Sequence, residues 1–228
     1  MKNNKLIILL LFVLNTVFSQ DKIDSTLVKA HTNKWSIEIG TGISYGTRPY
    51  TDGYFTNTNN QLFNDFKLNA YTVGARYDFS KIMGLKMDLA FDRFSNNKVD
   101  RSNPFEVAQF RTSVQGVFNV NGLIKSKKDF SRFNLLFHAG LHLAILQPIS
   151  SNYNPKVSNG DNYGGIVLGI TPMIMISKKT SLFFDFSSFS NYGQNLTWNG
   201  KHSAVSNNSN GHMVCGIFGL SFALDKSK

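Results

Sequence analysis

The sequence predicts an all-β protein, an eight-stranded antiparallel up-and-down transmembrane β-barrel. Three observations predict it. Eight segments alternate apolar with small or polar residues, the pattern of a strand with one apolar face. The connections between them alternate long and short, with one exception. A cleavable export leader precedes them all. The segment from Arg132 to Leu146 shows the alternation most clearly. Phe133, Leu135, Phe137, Ala139, Leu141, Leu143 and Ile145 share one face; Asn134, His138, Gly140, His142 and Ala144 lie on the other. A tilted strand crosses a bilayer in roughly 9–11 residues, and this one is long enough.

The leader occupies residues 1–19. Lys2 and Lys5 give a positive start, Leu6 to Leu14 an apolar run, and Val17 and Ser19 a small-residue exit before Gln20. A helical span needs about 20 apolar residues, and Asn15 breaks this run too early. Residues 20–33 read as a periplasmic N-terminal segment, 34–224 as the barrel and 225–228 as a short tail. No later run is apolar enough for a helical span. Only helices and closed barrels satisfy every backbone group inside lipid, so export without a helical span favours the barrel. A secreted β-sandwich is the competing architecture, with fewer aromatics at strand ends and fewer long strands in succession.

The first strand, about Lys34 to Tyr45, turns Trp35, Ile37, Ile39, Ile43 and Tyr45 outward, and Glu38, Gly40, Gly42 and Ser44 inward. Aromatics at both ends suit an interface girdle. A long polar loop leads to the second strand, about Leu68 to Phe79, with Arg76 inward. A tight turn, Ser80 to Met83, opens the third, Leu85 to about Phe94, with Lys86, Asp88 and Asp92 inward. After a second long loop comes the fourth, about Ala108 to Val120, with Arg111, Ser113 and Gln115 inward and Val120 outward. A turn of about ten residues carrying Lys125, Lys127 and Lys128 precedes the fifth strand and is the exception to the alternation. The sixth runs about Gly164 to Ile176, where Pro172 predicts a break in the ladder. The seventh starts at about Ser181 and reaches Ser190, with an extension to Trp198 allowed. The eighth covers about His212 to Leu224, with Cys215 inward as a small filler.

The formal charge of +10 includes two lysines that leave with the leader. The basic residues do not gather on one periodic face, which argues against nucleic acid. A single cysteine makes no internal disulfide. Glu38, Arg76, Lys86, Asp88 and Asp185 all fall on inward faces and toward the same half of the barrel. Eight strands leave an interior that side chains fill, and charges taken from water must pair. An ionic plug is therefore expected, with Arg76 reaching for Glu38 and Asp88. His138 and His142 lie about 13 Å apart along one strand, too far for one metal ion. No metal or cofactor site is predicted. Gly40-Thr41-Gly42 does not lead into a helix, so no nucleotide loop is read there.

Trp35-Ser-Ile-Glu-Ile-Gly, Arg48-Pro49 with Gly53-Tyr54-Phe55, Gly84-Leu-Lys-Met-Asp-Leu, Ile170-Thr171-Pro172 and Phe218-Gly-Leu-Ser-Phe resemble the barrel half of OmpA-family outer-membrane proteins of the Bacteroidota type. The resemblance implies the cell outer membrane as location. Its partners would be outer-membrane lipids and, during insertion, the barrel-assembly machinery. The sequence ends at Lys228, so the C-terminal peptidoglycan-binding domain of many such proteins, and its tethering role, are not expected. The expected function is non-enzymatic: a structural barrel, a narrow pore, or a barrel presenting long loops to an extracellular ligand. The alternative is a lipid-modifying barrel enzyme. That would need Ser, His and an acid at a lipid-facing rim, and His202-Ser203 is the weak candidate, with no acid placed beside it.

Overall fold

The computed structural model describes residues 35–48, 68–96, 105–123, 132–151, 160–200 and 210–224. The leader, the segment before the first strand, the tail, the basic triplet Lys125, Lys127 and Lys128, and His202-Ser203 lie outside them. Eight strands close into one barrel in sequence order, each antiparallel to the next and the last paired back to the first. They are β1 (Trp35–Arg48), β2 (Ala70–Asp78), β3 (Met83–Asn96), β4 (Phe105–Asn119), β5 (Phe133–Ser151), β6 (Asp161–Met175), β7 (Thr180–Tyr192) and β8 (Gly211–Ala223). Closure leaves no unpaired strand edge, the requirement for crossing lipid as a sheet.

The faces follow the alternation. Leu141, Leu143 and Leu89 are each more than 60% exposed on the outside, and every strand adds exposed apolar side chains to the same belt. A soluble protein would bury such a surface; here the apolar side faces out on all eight strands. Among the described residues no helix is long and apolar enough to cross a membrane.

Two tight turns share one device. Ser80 accepts the backbone N–H groups of Ile82 and Met83, and Ser177 accepts those of Lys179 and Thr180. A serine that bonds its own backbone two and three residues on fixes a short turn. At the opposite end several strands run beyond the predicted limits: β1 to Arg48, β3 to Asn96, β5 to Ser151. Apolar alternation stops where lipid stops, but ladder hydrogen bonds continue past it, because backbone pairing does not need apolar side chains.

Three details differ or sharpen. Val120 is not an outward strand residue; it opens a one-turn helix, α1 (Val120–Leu123), since β4 ends at Asn119. The β6–β7 ladder skips Thr171 and Pro172, while β5–β6 pairing runs on through both. Proline cannot donate to the ladder, and the gap falls where it sits. β7 stops at Tyr192 rather than extending to Trp198. Residues 193–200 turn into the barrel mouth instead, where Leu196 and Trp198 are buried.

A candidate functional site in the barrel lumen

The lumen holds three stacked sets of side chains. The lowest, near the tight turns, starts from Glu38 on β1. Arg76 on β2 sits 3.1 Å from it and 3.4 Å from Asp78. Lys86 on β3 lies 3.2 Å from Glu38, 3.5 Å from Asp88 and 3.6 Å from Asp185. In an eight-strand barrel β3 and β7 are opposite walls, so the Lys86–Asp185 pair crosses the lumen. Gly74 makes the convergence possible. It lies between Glu38 and Asp88 in the ladder, and a Cβ there would meet Asp88 Oδ1 at 2.2 Å.

Polar neighbours close the set into a ring. Asp185 accepts from Thr171 at 2.8 Å and from Ser187, and His138 Nε2 lies 3.1 Å from it. His138 Nδ1 is 2.5 Å from Gln115 Oε1, and the Gln115 amide donates to Asp88 at 2.7 Å. The circuit Lys86–Asp185–His138–Gln115–Asp88 thus returns to Lys86 through β7, β5, β4 and β3. All five charged residues singled out from the sequence belong to this cluster. One pairing differs from expectation: Asp88 goes to Lys86, and the second carboxylate of Arg76 is Asp78. Alternation puts acids on the inner face without ranking them. The ladder sets Arg76 opposite Lys86, so Lys86 stands between Arg76 and Asp88 along β3.

Above this ring lies a second one that sequence reasoning did not assemble. Arg111 on β4 is 3.3 Å from Asp92 on β3, and Asp92 accepts from Ser44 on β1 at 2.5 Å. Ser44 is 2.9 Å from the sulfur of buried Cys215. The Arg111 guanidinium lies 3.9 Å over the ring of Phe189 on β7, a cation–π contact that again reaches across the lumen. Arg111 and Asp92 were both legible as inward, and an inward Arg one strand from an inward Asp was the available signal. Between the two rings remains a cavity of about 30 Å³, lined by Lys86, Asp88, Arg111, Asp185 and Cys215 among others, with room for a water molecule.

The third set closes the loop end. Trp198 is fully buried, its ring 4.9 Å from that of Phe94, in one apolar cluster with Phe105, Val107, Leu146, Leu196 and Met213. Asp161 holds the inturned segment by accepting the backbone N–H groups of Asn195 and Leu196 at 2.6 and 2.8 Å. Below it His142 takes Asn191 at 2.9 Å, and Asn191 takes Gln194. The two histidines of β5 therefore serve different sets.

Eight up-and-down strands, an apolar outside and an ionic inside make this an outer-membrane β-barrel. No protein-family model and no curated protein matches the chain. Its fold is similar to that of the N-terminal β-barrel domain of Pseudomonas aeruginosa OprF, at 11% identity over 82% of this chain and 96% of that one, with a TM-score of 0.45. The Pseudomonas aeruginosa outer membrane protein OprG is similar at 11% identity over 85% and 96%, with a TM-score of 0.48. Neisserial surface protein A is similar at 11% over 86% and 100%, with a TM-score of 0.44. The fold itself rests on the strand ladder described above.

Proposed function

We propose that this chain is a closed-lumen barrel of the outer membrane, a structural envelope protein that passes no solute through its interior and performs no chemistry there. The observation that carries this reading is the Lys86–Asp185 pair joining opposite walls within a ring of polar contacts. Each charge of that ring is taken up by another, which among the described residues of the lumen leaves no carboxylate or histidine aimed at an open space large enough for a substrate. Arg111 and the apolar cap around Trp198 add two further barriers. On this reading the work of the protein falls to its outside. The apolar belt meets outer-membrane lipid, the barrel-assembly machinery inserts it, and the loops face any extracellular ligand. Planar-bilayer recording with purified, refolded protein tests the proposal. Silence at voltages that open a porin is expected; stable, reproducible openings in the parent protein would overturn it.

A further inference from the structure

The outer wall carries a hydrogen-bonded side-chain relay that plays no part in the lumen. His212, second residue of β8, lies with its Nε2 2.9 Å from Ser188 Oγ on β7 and its Nδ1 2.7 Å from Thr47 Oγ1 on β1. All three fall on the outward face of their strands: Ser188 continues Phe184 and Phe186, His212 precedes Val214, and Thr47 follows Tyr45. In the tautomer with the proton on Nδ1, Thr47 Oγ1 accepts from Nδ1–H while donating to the backbone carbonyl of His212 at 3.0 Å, and the Nε2 lone pair accepts the hydroxyl proton of Ser188. A hydroxyl nucleophile, a neutral imidazole base and a third group that orients the imidazole are the parts of nucleophilic acyl transfer. The backbone is adapted to hold them. The β1–β8 register shifts between Gly46 and Arg48, placing Thr47 at an irregularity, and such bulges re-aim side chains beside reactive sites.

We propose that Ser188 and His212 are the catalytic residues of an esterase site for acyl-ester lipids of the outer leaflet, with Thr47 as a positioning residue. The substrate class follows from location. The relay stands near the loop end of the barrel, at the margin of the apolar belt: Val214 is the ladder partner of Ser188, Phe186 lies two residues before it on the same face of β7, and both are exposed. Lipid ester bonds lie at that depth, between acyl chain and headgroup. Ser188 Oγ attacks the ester carbonyl carbon while Nε2 takes its proton. The bond to the leaving alcohol breaks, and that oxygen receives the proton from Nε2. Water then attacks the acyl-serine carbonyl and gives a proton to Nε2, which returns it to Ser188 Oγ as the carboxylic acid leaves. The balance is ester plus water to acid plus alcohol. The inference goes beyond the closed-lumen reading and does not rest on it.

The test uses the full-length mature protein refolded in detergent. A long-chain fluorophosphonate should label it, with the label mapping by mass spectrometry to Ser188, and it should hydrolyse a p-nitrophenyl ester of a medium-chain acid. Ser188→Ala and His212→Gln should lose labelling and reduce hydrolysis at least about a hundredfold, the scale of one general-base contribution, while keeping the gel mobility of a folded barrel. Thr47→Val should displace the pH profile of hydrolysis, and Thr47→Ser should restore it. Absence of label on the folded parent, or label mapping to another residue, would overturn the proposal even if a variant fails to fold. Equal hydrolysis by parent and Ser188→Ala would do the same. None of these outcomes bears on conductance, so the two readings fail separately.

Discussion

Replacing Lys86 by Met removes the charge that joins the lumen walls while keeping chain length and burial. The ammonium group lies 3.2, 3.5 and 3.6 Å from three carboxylates and is almost fully enclosed. Without it Glu38 retains Arg76, Asp88 retains the Gln115 amide, and Asp185 retains Thr171, Ser187 and His138. Most lone pairs stay bonded, so the loss is electrostatic: three acids face one another with their shared counter-charge gone. Breaking a buried pair by removing one partner costs about 3–5 kcal/mol, and three acids losing one cation put Lys86→Met toward the upper end. The assay is reversible urea unfolding in lipid vesicles, followed by fluorescence of the two tryptophans, Trp35 and Trp198. Lys179→Met, in the exposed β6–β7 turn, is the control and should stay within about 0.5 kcal/mol of the parent. Adding Asp185→Asn to Lys86→Met should cost less than the sum of the two single changes, because the second removes a charge the first left uncompensated. A Lys86→Met barrel within about 0.5 kcal/mol of the parent, or strictly additive behaviour, would refute the ionic ring as a stabilising unit.

Arg76→Ala strips Glu38 and Asp78 of a shared partner and should lower stability by about 3 kcal/mol in the same unfolding assay. Trp198→Ala empties the centre of the mouth cluster and should cost about 3–5 kcal/mol; acrylamide quenching of the parent should show one shielded and one accessible tryptophan. Gly46→Ala puts a Cβ 2.4 Å from the Trp198 ring, against a rigid aromatic, and should cost about 1–3 kcal/mol by overpacking, with a loss of that shielding. The unboiled parent should migrate differently from the boiled sample on a denaturing gel, since a closed barrel resists detergent; identical mobility would count against closure.

The architecture was legible in the sequence because strand side chains alternate with period two and lipid imposes one requirement on every outward position. Outward Leu141 and Leu143 and inward Glu38 and Lys86 follow from that single constraint acting locally, and the break at Pro172 follows from a second local fact, the missing backbone N–H of proline. The composition of the lumen was readable for the same reason. Its pairing was not. Alternation says that Asp88 points inward, but only the ladder that sets Arg76 against Lys86 gives Asp88 to Lys86. The reach of Lys86 to Asp185 and of Arg111 to Phe189 on far walls depends on closure, which brings together side chains of strands that are not neighbours in the sheet. Trp198 was hidden for another reason. A loop has no periodicity to read, and its inward turn is set by Asp161, 34 residues earlier, capping the chain at Asn195. The Ser188–His212–Thr47 relay joins β7, β8 and β1 across the seam where the barrel closes. Local sequence decides which face each residue takes; tertiary structure decides its neighbour, because register and closure are properties of the whole sheet.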